Sequence, residues 1–221
     1  MIGDILFIRD EHINAAEILT KKVLLELDKK PKNYKYIVGI SGESETGKSE
    51  ISHSLALRLK KHHIRVKILY TDNYFKVPPL LKSEWRKAQG IESVGMAEYD
   101  WSLIHRNIQD FKEERESMIP CIDLIPEQVD KLITDFKKID LLIIAGLYAI
   151  KSDGVDLRIF IEMTNAELKL TGNGSSTVGK TDFEQSVLEK EHQNVISLKP
   201  LSEILINKGY QVLDAKTSMA I

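Results

Sequence analysis

The chain of 221 residues is short of several things at once. It has one cysteine, Cys121, so no disulfide can form within it. A thiol following Pro120 in an apolar stretch reads as a buried structural group in a reducing compartment. Neither charge is in excess. The 31 Lys and Arg stand against 33 Asp and Glu, a formal net charge of −2, which argues against a surface built for nucleic acid or for an anionic membrane. No long apolar run occurs: the longest, Leu141 to Ile150, falls far short of the ~20 residues that span a bilayer. Met1 to Asp10 carries neither a basic region nor an extended apolar core, so the expectation is a chain without a secretory leader, cytoplasmic in location. Internal repeats are lacking. What remains is an ordinary globular composition, 43% hydrophobic and 29% charged, long enough to bury a substantial core. Glycine is sparse, 12 in all, so the places where it recurs are informative.

The most informative place is Gly42-Glu43-Ser44-Glu45-Thr46-Gly47-Lys48-Ser49. This is G-x-x-x-x-G-K-S, the phosphate-binding loop of nucleoside-triphosphate-binding proteins. The glycines let the backbone turn tightly and aim successive N–H groups at a triphosphate. Lys48 adds a point charge for the β- and γ-phosphates, and Ser49 a hydroxyl ligand for Mg²⁺. The apolar stretch Tyr36 to Ile40 precedes the string as a strand. Ser52 to Lys60 follows as a helix, with Ile51, Leu55 and Leu59 at helical spacing. Strand, glycine-bearing loop and helix N-terminus are what an anionic ligand needs.

Along the rest of the chain, Ile5 to Ile8 is a short strand or an irregular lead-in. Glu11 to Lys29 is helical, with a broad apolar face from Ile13 to Leu27, and Pro31 to Asn33 ends it. Ile64 to Tyr70 alternates apolar and basic residues and reads as a strand ending at Thr71-Asp72. Val77-Pro78-Pro79 marks a loop. Asp100 suits an N-cap for a helix running to about Glu116, with Leu103, Ile104, Ile108 and Phe111 inward. Ile119 to Ile125 is a strand or an extended segment. Ile139 to Ala145 is continuously apolar, as a strand buried on both faces of a parallel sheet would be, and Leu157 to Ile161 is another. Phe183 to Leu198 is a helix, and Tyr210 to Leu213 a last strand. Strands alternating with helices predict an α/β fold with a mostly parallel sheet. The predicted organisation is an N-terminal helical extension over 1–33 and a nucleotide-binding domain over 34–221. Within the latter, the Gly/Ser-rich run Thr171 to Gly179 lies in a flexible lid near 168–182.

Several of these stretches together resemble the uridine kinase and phosphoribulokinase group of P-loop small-molecule kinases. They are Gly39-Ile40-Ser41-Gly42 through Ser49, Thr71-Asp72-Asn73-Tyr74-Phe75, Tyr99-Asp100-Trp101-Ser102-Leu103, Leu142-Ile143-Ile144-Ala145-Gly146-Leu147 and Asp156 to Ile161. They occur in family order over roughly residues 36 to 200, and the helix at Glu11 to Lys29 lies outside the usual core. The loop alone is shared by many families; its combination with D-x-x-Y-F at the end of the next strand is far more specific. The resemblance implies a P-loop NTPase-type three-layer sandwich, ATP and Mg²⁺ as cofactors, and phosphorylation of a hydroxyl on a nucleoside or sugar phosphate. Phosphoryl transfer needs a cradle for ATP, a metal, and a carboxylate beside the attacking hydroxyl. By resemblance Asp72 is that carboxylate, the general base, with a turn cap as the plainer reading. Tyr74 and Phe75 wall the acceptor pocket or pack in the core. Asp100 approaches the acceptor or simply caps its helix. Trp101 reads as core and Arg106 as solvent-facing. His62 and His63 suit a helix C-terminus, and His105 and His192 read as structural. The partner is a small-molecule acceptor, with a homo-oligomer left open.

Two departures from the family pattern matter. The strand ending at Ile144 should be followed by an acid just before Gly146, orienting the Mg²⁺ shell. Here that residue is Ala145. The lid region, Leu168 to Asp182, offers only Lys169 and Lys180 where related kinases carry several arginines. Glu43 and Glu45 also place carboxylates beside a triphosphate. A second reading is therefore an ATP-binding protein with little or no turnover. A GTPase switch would need N-K-x-D, but Asn207-Lys208-Gly209-Tyr210 lacks the acid, and an ABC-type ATPase signature is missing.

Overall fold

The order of elements follows from where apolar residues recur. The computed structural model describes residues 5–123, 125, 126, 128–164 and 181–215. Strands β1 (Tyr36–Ser41), β2 (Val66–Tyr70), β5 (Leu141–Ala145), β6 (Leu157–Ile161), β7 (Ile204–Ile206) and β8 (Val212–Asp214) form one sheet in the order β2-β5-β1-β6-β7-β8. Every pairing in it is parallel except β7 with β8. The strands β3 (Glu116–Asp123) and β4 (Gln128–Asp135) form a separate antiparallel pair. The helices are α1 (Asp10–Leu27), α2 (Lys48–Lys61), α3 (Lys82–Gln89), α4 (Trp101–Lys112) and α5 (Asp182–Ile196).

All six residues of β1 and all five of β5 are buried, which is why both read as unbroken apolar runs. Successive side chains take opposite faces. Val38, Ile40 and Ile143 pack with Ala16, Leu19 and Val23 of α1 and Ile51, Leu55 and Leu59 of α2. Ile37, Leu142 and Ile144 pack on the other face, with Ile104, Ile108 and Phe111 of α4. A third cluster joins Leu147, Phe160 and Leu205 to Val195 of α5. Helices cover both faces of a mostly parallel sheet, the three-layer α/β architecture. At Gly39 a Cβ would meet Val155 Cγ1 at 3.0 Å and Ile150 Cα at 3.3 Å, so this close crossing needs glycine.

Several boundaries differ from expectation. Ile5 to Ile8 forms no strand and is irregular, with Ile5 and Phe7 exposed. The helix capped by Asp100 stops at Lys112, not near Glu116. Glu114 turns to φ +56° and Glu116 begins β3, paired with Asp135. The last strand begins at Val212. Tyr210 lies in the preceding turn at φ +56°. Three elements left no readable pattern. Helix α3 buries none of its residues, β4 is exposed along most of its length, and β7 has only three residues. The lid expected near 168–182 lies, up to residue 180, outside the described residues. Asp182 opens α5, where Thr181 and Glu184 form a reciprocal capping box. No helix of the described residues is long and apolar enough to cross a membrane.

Candidate active site

The carboxyl edge of the sheet brings the loop after β1 beside the ends of β5 and β2, in that order. In open α/β sheets this edge, at the strand where the order reverses, is where ligands bind. The loop's two glycines have distinct reasons. At Gly42 a Cβ would lie 3.0 Å from Ile161 Cβ and 3.1 Å from both Ile161 O and Thr46 Oγ1. Gly47 adopts φ +87° as it enters α2, and Glu45 also takes a positive φ, +64°. Thr46 Oγ1 donates to Glu43 O at 2.8 Å, and Tyr210 Oη donates to Thr46 O at 3.3 Å. Helix α2 starts at Lys48, so the first-turn N–H groups have no helical partner and face the loop.

Lys48 is buried, and its Nζ donates to Glu43 O. Burial lowers its pKa from the usual lysine value, with Asp72 the foremost of the carboxylates that oppose the shift. The Glu43 carboxylate is buried and faces α5, where His192 Nδ1 lies 2.6 Å from its Oε1. That geometry leaves the negative charge on the helix side of the loop.

Asp72 follows β2 in a short 3₁₀ turn, Thr71–Tyr74. Its neighbours lock the turn. Asn73 Oδ1 accepts from Ile122 N at 3.1 Å, and Tyr74 Oη donates to Asn107 Oδ1 at 2.8 Å. A cavity of about 810 Å³ opens against this turn, within the ~300–1,000 Å³ of ligand clefts. Lys48, Ser49, Glu50, Asp72 and Leu147 line it on the sheet side, and Ser44, Glu45 and Gly47 at the loop. The outer wall is unexpected: it is made by residues 5–9, His12 and Tyr210.

The other residues singled out from the sequence fall elsewhere. Tyr74 is fully buried in the α4-side core and lines no part of the cavity. Phe75 is half-buried, its ring 4.4 Å from that of Tyr99 and under Lys82 Nζ at 3.5 Å. Asp100 is spent on capping: it accepts from Leu103 N at 3.0 Å and Ser102 Oγ at 2.7 Å, and these bonds lower its pKa. Trp101 is half-buried, Arg106 exposed and Cys121 buried. His192 contacts the loop carboxylate of Glu43.

Ala145 ends β5, 1% exposed, paired with Ile40 on one side and Tyr70 on the other. By strand alternation its Cβ shares the face of Ile143, toward α2 and Lys48. Gly146 beyond it is in close contact with the Asp72 turn: a Cβ there would lie 1.7 Å from Thr71 Oγ1. Among the described residues no group of three or more His, Cys, Asp or Glu could hold a metal. Ser49 and Asp72, facing one cavity, fit Mg²⁺ that takes its remaining ligands from phosphate oxygens and water.

Sequence reasoning missed Arg9, His12, Leu147, Tyr210 and the contact of His192. Nothing local marks them; they reach the loop only through tertiary packing.

Comparison with known proteins agrees with the geometry. The family model for the phosphoribulokinase / uridine kinase family matches residues 37–172. A uridine kinase of Ureaplasma parvum is 29% identical over 136 residues, covering 59% of this chain and 64% of the relative. A uridine kinase of Staphylococcus aureus is 26% identical over 138 residues, covering 61% and 64%. The match thus spans a little under two thirds of these relatives' length. The phosphoribulokinase of Rhodobacter spheroides superposes with a TM-score of 0.58 at 11% identity, over 80% of this chain and 71% of that one, a likeness of fold.

Proposed function

The chain belongs to the phosphoribulokinase / uridine kinase family, and from that premise we propose that it is an ATP-dependent kinase for a small-molecule hydroxyl, on a nucleoside of the uridine or cytidine kind or on a sugar phosphate. The observation that carries this reading is one cavity faced by Lys48 and Ser49 at the start of α2 and by Asp72 at the end of β2. Gly42 to Ser49 cradle the phosphates through backbone N–H groups, and Lys48 neutralises the β,γ-bridging region as charge develops. Asp72 accepts the proton of the acceptor hydroxyl as its oxygen bonds to the γ-phosphorus. The bond from that phosphorus to the β,γ-bridging oxygen breaks, and ADP leaves. When bound, Mg²⁺ supplies charge neutralisation across the phosphates, held by Ser49 with Asp72 nearby.

Ala145 favours a second reading, nucleotide binding with little or no turnover, because a methyl group stands where an acid would orient metal-bound water. The test is ATP turnover over a panel of nucleosides and sugar phosphates, with Asp72→Asn and Lys48→Ala in parallel. The kinase reading expects phosphorylated product with one acceptor class, a drop of about 10²-fold or more in Asp72→Asn, and lost ATP affinity in Lys48→Ala. Tight ATP binding with no product from any acceptor would select the second reading. Unchanged ATP affinity in Lys48→Ala would defeat both.

A further inference from the structure

The N-terminal segment before α1 lies outside the residues that match the family model, yet it closes the outer side of the cavity. Its seat is the loop itself. A Cβ at Gly47 would meet both His12 Nε2 and Tyr210 Oη at 2.9 Å, so the segment is in contact with the loop backbone at the residue that opens α2. The rings of His12 and Tyr210 meet edge to face, 4.8 Å between centroids. Arg9 N donates to His12 Nδ1 at 3.2 Å, which puts the proton of the neutral ring on Nε2. That buried Nε2 has no hydrogen-bond partner among the described residues. Tyr210 Oη in turn holds the loop at Thr46 O.

Two side chains of this segment, Phe7 and Arg9, line the cavity from the solvent side. Phe7 is 73% exposed although it lines the cavity. A large exposed aromatic beside a polar cleft offers a flat face to a planar ligand. The Arg9 guanidinium lies 3.5 Å from Tyr210 Oη and 5.8 Å from that ring's centre. Among the described residues it forms no ion pair. A guanidinium held only by a long bond to a phenol, with no carboxylate on it among the described residues, suits a phosphate at the mouth of an anion site. The γ-phosphate end of the cavity is fixed by Lys48 and Asp72, so the opposite wall faces the α-phosphate, ribose and base.

We propose that residues 5–12 form a nucleotide strap, in which Phe7 stacks on the base and Arg9 pairs with the phosphate chain. This rests on the nucleotide reading of the loop and extends it to a segment outside the family core. It also supplies a cation from the N-terminal side, where the Leu168 to Asp182 stretch has few. His12 and Tyr210 are positioning residues: they seat the strap on Gly47.

The experiment measures dissociation constants for ATP and for inorganic tripolyphosphate with the full chain and with Phe7→Ala, Arg9→Ala and Lys48→Ala. Phe7 and Arg9 are both exposed, so truncating them leaves the core intact. Base stacking on an aromatic is worth ~1–3 kcal/mol, so Phe7→Ala should weaken ATP about tenfold and leave tripolyphosphate unchanged. Arg9→Ala should weaken both ligands by about tenfold. Lys48→Ala should lose both. ATP affinity within about twofold of the parent in Phe7→Ala and Arg9→Ala, with Lys48→Ala defective, would overturn the strap and spare the nucleotide reading. Loss in only one of the two variants would remove the other residue's role. Full affinity in Lys48→Ala, or no binding of either ligand by the parent chain, would overturn the nucleotide reading and the strap with it.

Discussion

Replacing Ala145 by aspartate asks whether the end of β5 is a metal-facing position. The side chain is 1% exposed and by strand alternation turned to the α2 face, so a carboxylate there is desolvated. Burial of a partly compensated ion costs of the order of 3 kcal/mol. For a chain of this length that is a fall of about 6–12 °C in melting temperature without ligand, at ~2–4 °C per kcal/mol. Nucleotide offsets part of this loss. At a hundred times its dissociation constant any ligand stabilises by about 2.7 kcal/mol. If the new carboxylate orders the water shell of Mg²⁺ and tightens Mg²⁺–ATP tenfold, it adds about 1.4 kcal/mol, a further ~3–6 °C at the same ligand concentration. The assay is thermal unfolding of both proteins in four conditions: alone, with ATP and EDTA, with Mg²⁺, and with Mg²⁺ and ATP. The expected signature is a variant less stable alone, with a larger Mg²⁺-dependent rise in the presence of ATP. Turnover should rise as well. Equal Mg²⁺-dependent rises and equal turnover would refute the assignment of position 145, and the family analogy would then fail at its most chemical point.

Gly146→Ala tests the coupling of β5 to the Asp72 turn: with Thr71 Oγ1 1.7 Å from the added methyl, the turn must shift, and a shift of ~1 Å in a reacting group costs about 10²-fold in rate. ATP affinity should change by less than about threefold, and Thr71→Ala in the same chain should recover only part of the turnover, because the Thr71 Cβ remains 2.9 Å from the added methyl and Gly146 sits at φ +159°; full activity in the single variant would show that the turn's position is immaterial. Asp100→Ala removes the α4 cap and should cost about 1 kcal/mol at pH 7, or ~2–4 °C. Hydrogen bonds from Ser102 and Leu103 hold the folded Asp100 pKa below its ordinary 3.8, so the stabilisation is complete above that value and disappears as pH falls through the lower, folded one. The gap in melting temperature between parent and variant should therefore be constant from neutral pH to about 4.5 and close below 3.8; a gap unchanged at pH 2.5 would sink the cap as its cause.

What was legible in the sequence was whatever local pattern decides. Strand β1, the loop and α2 are consecutive, and each demands particular residues: apolar ones for burial on both faces, glycine at Gly42 and Gly47, a cation at Lys48. Asp72 could be placed because β2 ends where its alternation ends, and Asp100 because capping is local chemistry. Elements without a stripe escaped. Helix α3 buries nothing, so no periodicity betrays it, and β4 is solvated on both sides over most of its length. Tyr74 could not be sorted between pocket and core because an aromatic two residues after Asp72 satisfies either. Its bond to Asn107, on α4, decides for the core. The strap was invisible for another reason. Its contacts join His12 to Gly47 and Tyr210 to Thr46, pairs separated by a whole helix or by most of the chain, and no spacing rule links them.

The charges around the cavity explain why the loop, the strap and position 145 belong to one problem. Among the described residues that line the cavity, Glu45, Glu50 and Asp72 carry carboxylates and Arg9 and Lys48 carry cations, and a triphosphate adds its own negative charge. His192 contacts Glu43 from α5, and Arg86 is committed to Glu98 and Glu191 on its guanidinium. Lys48 itself resists charging because it is buried. Such a cavity is a poor host for a bare polyanion. Two routes repair the balance. If the nucleotide arrives with Mg²⁺, its waters and phosphate ligands need only a hydroxyl and a carboxylate from the protein, the part proposed for Ser49 and Asp72. Or cations are brought in from outside the family core, which is the part assigned to Arg9. Ala145 bears on the first route by leaving one outer-shell partner out, and the strap bears on the second. A chain that lost the acid at 145 would lean harder on Arg9, so Arg9→Ala and Ala145→Asp should interact when combined: the restored acid should recover part of the ATP affinity that the lost guanidinium removes, and only when Mg²⁺ is present.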